Sequence, residues 1–132
     1  VRGVVWLPRL IDKCRASEAG TLGSYLYGQS PADDAFLALA GLGYPAFTAI
    51  VRASDSDVAV LDAIEAGVPG VTARLQAWSK ELLAKPTLFI RMNDWDDGYS
   101  AASASDRILR TVVQPLFGIV VTLSRIARPL RP

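Results

Sequence analysis

Apolar residues recur along this chain at intervals of three and four, the spacing that gathers side chains on one face of an α-helix. Leu7, Leu10, Ile11 and Cys14 form the first such stripe. Pro8 falls in its opening turn, where a missing N–H leaves nothing unpaired, and Gly20 supplies a stop. Thr21 to Tyr27, with glycines at 20, 23 and 28, reads as a turn or one loose helical turn. Ser30-Pro31 repeats the signal of cap plus proline. The stripe of Phe36, Leu37, Leu39 and Ala40 follows, ending at Gly41 or Gly43.

Pro45 opens a third segment with Phe47, Ile50 and Val51 on one side. Ser54 or Asp55 is expected to cap a fourth, in which Val58, Leu61 and Ile64 lie three apart before Gly67. A fifth runs from Pro69 to Ala84, with Val71, Leu75, Trp78 and Leu82 in register and Pro86 beyond its end. Thr87 to Met92 has strand-like composition but no second strand to pair with, so it reads as an extended connector. Asn93 to Ser105 is polar and rich in Gly and Ser, a loop composition. A last apolar segment, Ser105 to Ile126, is divided by Pro115 into two helices or one kinked helix. The fold class expected is therefore all-α: six or seven short helices in a single domain, 1–132, with a short extended piece near 87–92.

Composition narrows the chemistry. A formal net charge of +1 leaves too little excess Lys and Arg for a dedicated nucleic-acid binder. The chain has no histidine and one cysteine, so Cys/His zinc sites and His-dependent catalytic triads cannot be built within it. No metal and no tightly bound cofactor are expected. Residues 1–10 lack a signal peptide's long apolar core, which makes the cytoplasm the default compartment. The longest apolar run, Pro115 to Leu123, is too short for a membrane span, which needs about 20 residues.

Leu7-Pro-Arg-Leu-Ile-Asp-Lys13, Gly20-Thr-Leu-Gly23 and Tyr25-Leu-Tyr-Gly28 together resemble a family of small uncharacterised bacterial proteins, a domain of unknown function. Ser30-Pro-Ala-Asp33, Leu42-Gly43, Ser54-Asp-Ser-Asp-Val58 and Ala77-Trp78 extend the likeness across Val4 to Leu83. The family's acidic ending is replaced here by arginine-rich residues 125–132. The resemblance implies a small, mostly helical, soluble protein and no particular activity.

Candidate chemistry concentrates at the start of the chain. Asp12, Lys13 and Arg15 on the first helix, with Tyr25, Tyr27 and Asp33 beyond it, would offer hydrogen bonds and a cation to a small anionic ligand. The competing interpretation is a solvated helix face with tyrosines half in the core. Cys14 lies on the apolar stripe and reads as a buried structural cysteine. Asn93 to Gly98 imitates a calcium loop but lacks carboxylates at two ligand positions. Two functional classes remain. One is a small binding or interaction module that pairs with a protein partner or a second copy. The other is an enzyme using Asp12 or Asp33 as base, Lys13 or Arg15 to hold an anionic metabolite, and Tyr25 or Tyr27 as proton donor.

Overall fold

A computed structural model describes residues 1–23, 25–28 and 30–84. Nearly all of these residues, Val1–Glu81, belong to one compact unit. The expected extended segment, polar loop and last helices, all beyond Ala84, lie outside the described residues. So does much of the span for which a single domain is expected.

Five helices occupy the described residues, and no strand is found among them: α1 Leu7–Glu18, α2 Pro31–Ala40, α3 Tyr44–Arg52, α4 Asp57–Gly67 and α5 Val71–Ala84. The all-α class expected from the spacing is what the described residues adopt. α1 packs against α3 and α4, which also pack against each other. Leu7, Leu10, Ile11 and Cys14 of α1, Phe47 of α3, and Leu61 and Ile64 of α4 are all closed to solvent. The edge of Phe36 meets Trp78 at a centroid distance of 6.1 Å, which ties α2 to α5.

Glycine ends the first two helices by one mechanism. Gly20 (φ 69°) and Gly41 (φ 68°) take up left-handed backbone that side chains with a Cβ rarely adopt. The chain then folds back, so that Thr21 N–H reaches Ala16 O at 2.8 Å and Leu42 N–H reaches Leu37 O at 3.0 Å. These bonds close otherwise unpaired carbonyls in the last turn. Gly41 is thus the stop for α2, while Gly43, in extended backbone, is the residue before α3.

Two details of the fourth helix differ from expectation. Its cap is Ser56, whose hydroxyl accepts from Ala59 N–H at 3.2 Å. Ser54 is committed elsewhere, donating to Ile50 O at 2.8 Å at the end of α3. The buried face is Val60, Leu61 and Ile64, and Val58 is 42% exposed. At about 100° per residue, steps of three drift around the helix, which leaves Val58 well off a face centred on Leu61 and Ile64. Glu65 then reaches out of α4 and accepts from Gly70 N–H (2.6 Å) and Thr72 N–H (2.7 Å) at the start of α5. Pro69 and Gly70 accordingly lie before α5 and not inside it.

The segment before α1 is held by α5. Val5 N–H donates to Ser79 Oγ at 3.2 Å, and the Gln76 amide donates to Arg2 O at 2.7 Å. This places Val4 and Trp6 in the core at 0% and 4% exposure. Among the described residues no single helix is long and apolar enough to cross a membrane. α2 and α3 meet the length and composition together only as a pair bent by 78°.

Candidate functional site

The chemistry-bearing residues of the first half of the chain sort themselves by their angle around α1. Lys13 and Arg15, two residues apart, point about 200° away from each other, on opposite flanks of the apolar stripe. Arg15 turns toward α4 and pairs with Asp57 at 3.5 Å. Lys13 turns toward α2 and is buried against Asp33. Asp12 lies between them on the side away from the core and is exposed. Of the six residues singled out in the sequence, the fold brings Lys13, Asp33, Tyr25 and Tyr27 to one side of α1, and Asp12 and Arg15 do not join them.

The centre of that side is an ion pair almost sealed from water. Lys13 Nζ donates to both oxygens of Asp33, at 3.1 and 3.0 Å. Side-chain exposure is 6% for Lys13 and 0% for Asp33. Trp6 Nε1–H donates to Asp33 Oδ1 at 2.9 Å. The Trp6 ring also lies under two cations, 5.4 Å from Lys13 Nζ and 5.4 Å from the Arg9 guanidinium carbon. One carboxylate therefore joins three pieces of chain: the segment before α1, α1 itself and the first turn of α2. Burial drives the Asp33 carboxyl above its ordinary pKa. Lys13, Trp6 and the Ser30 hydroxyl, beside it but outside normal hydrogen-bond geometry, pull it down without cancelling the shift.

Three tyrosines lie on this side: Tyr27 and Tyr44 feel the Asp33 charge, and Tyr25 lies against Arg9. Tyr25 is 37% exposed, with the Arg9 guanidinium carbon 5.9 Å from its ring centre. Tyr27 and Tyr44 meet edge to face at 5.1 Å. The Tyr27 hydroxyl shares a 2.9 Å hydrogen bond with Thr48 Oγ1, which also accepts from Cys14 Sγ–H at 3.7 Å. Tyr44 donates to Asp34 Oδ1 at 2.8 Å. Burial pushes both hydroxyls above the ordinary tyrosine pKa. The Cys14 thiol adds to the shift at Tyr27, and Asp34 adds to that at Tyr44. Both rings therefore stay neutral and protonated over the physiological range.

Trp6, Tyr44 and Thr48 were not among the residues singled out in the sequence. Trp6 carried a usable signal, since it stands seven positions before Lys13, two turns along one helix face. Tyr44 and Thr48 carried none, because α3 reaches this place through packing that no local spacing encodes. Among the described residues no group of three or more His, Cys, Asp or Glu side chains is arranged to hold a metal ion.

A family model matches residues 1–115 of the chain. The protein belongs to DUF5069, a domain of unknown function. The match covers the whole tyrosine and ion-pair site and all five described helices, and runs past Leu83, where the resemblance read in the sequence ended. No curated protein and no solved structure matches the chain.

Proposed function

We propose that this DUF5069 protein is a small binding module that recognises a polypeptide partner through the tyrosine face formed by Tyr25, Tyr27 and Tyr44. The supporting observation is that the rings are at least partly open to solvent while their hydroxyls or flanks are already held. Tyr27 is tied to Thr48, Tyr44 to Asp34, and Tyr25 lies against Arg9. Tyrosine is enriched where binding energy concentrates in interfaces, since it offers a large apolar area with a polar tip. Holding each side chain in advance reduces the ordering cost of association, about 0.5–1.5 kcal/mol per side chain.

The same geometry weighs against the enzyme alternative. A general base must touch its substrate, and Asp33 has no exposed side-chain surface. Lys13, the cation intended for an anionic metabolite, already has both oxygens of Asp33 as partners. Asp12 and Arg15 stand away from the tyrosines.

The test uses the full chain carrying a photo-crosslinking side chain at position 25, at position 44, or at exposed Ala63 on α4 as control. The expected result is one stoichiometric polypeptide, a second copy included, captured from 25 and 44 and not from 63. Its measured affinity should fall more than about tenfold, or 1.4 kcal/mol, in Tyr25→Ala. Equal capture from all three positions would overturn the proposal. So would a thermal shift with a small anion, lost in Tyr25→Ala, from a protein that captures no polypeptide.

A further inference from the structure

Asp33 is more than a buried partner for Lys13. Its two oxygens accept from Trp6 of the segment before α1 and from Lys13 of α1, and so join both to α2. From the geometry we infer that the Trp6–Lys13–Asp33 node is an acid-sensitive latch: protonating Asp33 releases Lys13 and the Trp6 indole, and loosens the support beneath the tyrosine face.

Ionised Asp33 accepts from an ammonium and an indole, neither of which can accept in return. A proton placed on the carboxyl gives it an O–H facing those donors and removes the negative charge that justifies keeping an ammonium 6% exposed. Lys13 has a flexible four-carbon stem and can carry its charge out to water, so the release requires no unfolding of α1. The charged and titratable groups facing Asp33 come from every neighbouring element. Lys13 on α1, Tyr27 on the connector and Tyr44 on α3 interact with Asp33 itself; one contact further out are Arg9 over Trp6, Tyr25 against Arg9, Cys14 at Thr48, and Asp34, the next residue on α2. Tyr27 and Tyr44 both feel the Asp33 charge, which helps to keep their protons on. The upward displacement of the Asp33 carboxyl by burial places the change at milder acidity than an exposed aspartate would give. The latch stands on this geometry alone; only its consequence for recognition rests on the proposed function.

The experiment is an NMR titration of the native full chain, following the Asp33 carboxyl carbon and the Trp6 indole N–H together. The expected result is one shared midpoint, above the ordinary aspartate value of about 3.9, reached while the backbone resonances remain those of the folded protein. In Asp33→Asn the indole resonance should no longer titrate. A carboxyl midpoint at or below about 3.9 would overturn the latch. An indole signal that stays fixed until global unfolding would do the same, even if Asp33→Asn proves too unstable to study. Neither result touches the crosslinking test, so failure of the latch and failure of the binding proposal are distinguishable.

Discussion

Replacing Lys13 by methionine isolates the energetics of the node, because methionine keeps the volume of the stem and removes only the charge and its donors. The variant leaves Asp33 with 0% side-chain exposure and Trp6 as its remaining strong donor. Removing one member of a buried pair costs about 3–5 kcal/mol. Protonation sets an independent ceiling, since a buried carboxylate that becomes too costly takes up a proton instead. At pH 7 that escape costs about 1.36 kcal/mol for each unit above an unfolded pKa of about 3.9, or roughly 4 kcal/mol. At pH 5 the same escape costs only about 1.5 kcal/mol. The loss in Lys13→Met should therefore shrink by more than half between pH 7 and pH 5. For a unit of this size, with a total stability of about 4–12 kcal/mol at 0.05–0.15 kcal/mol per residue, the loss at pH 7 is a large fraction. Urea denaturation followed by circular dichroism at both pH values measures it. Lys13→Met/Asp33→Leu, which removes both charges, should recover most of the loss or exceed the parent's stability. A cost below about 1 kcal/mol at pH 7 would show that the pair is solvated in solution. A double variant as unstable as the single one would show that the loss arises from packing and not from an unpaired charge.

Two further outcomes test how the helices are joined. Ser56→Ala should cost about 1 kcal/mol by removing the hydroxyl that accepts from Ala59 N–H, while Ser54→Ala stays within about 0.5 kcal/mol, both read from denaturation midpoints. Equal losses would return the cap of α4 to the position expected from the sequence. Hydrogen bonds from the Thr72 backbone and hydroxyl and from Gly70 hold the Glu65 pKa below its ordinary range. A carboxyl depressed in the folded state contributes stability that is complete above its unfolded pKa and is lost as pH falls through the folded one. The parent should therefore lose stability more steeply than Glu65→Gln on acidification below about pH 4.3, and parallel acid-denaturation profiles would contradict the role assigned to Glu65.

Much of the candidate site was legible before the fold was known, although the grouping was not. Lys13, Tyr25, Tyr27 and Asp33, four of the six residues singled out, lie on one side of α1. Asp12 and Arg15 were grouped with Lys13 because they are neighbours in sequence, yet a helix turns about 100° at each step and separates such neighbours. That separation was available from the spacing. The depth of Lys13 was not, since its charge argues for solvent, and the carboxylate that pairs with it in the interior comes from α2, 20 positions away.

Local physics was enough to specify the helices. Prolines in first turns, left-handed glycines after last turns and apolar stripes at three and four act within about one turn of chain, so they read directly from residue order. They yielded α1, the Gly20 stop, a stop for α2 at Gly41 or Gly43 and the end of α4 at Gly67. Which stripe meets which, and where a polar group finds its partner, depends on residues far apart in the chain. Trp6 becomes a donor to Asp33, Thr48 a partner for Tyr27, and Ser79 an anchor for Val5 only once α2, α3 and α5 have packed. The sequence determined the class of fold and the residue types at the site. Tertiary packing decided that the charges there are spent on one another, that Tyr25 is left exposed and that Tyr27 and Tyr44 are half-buried.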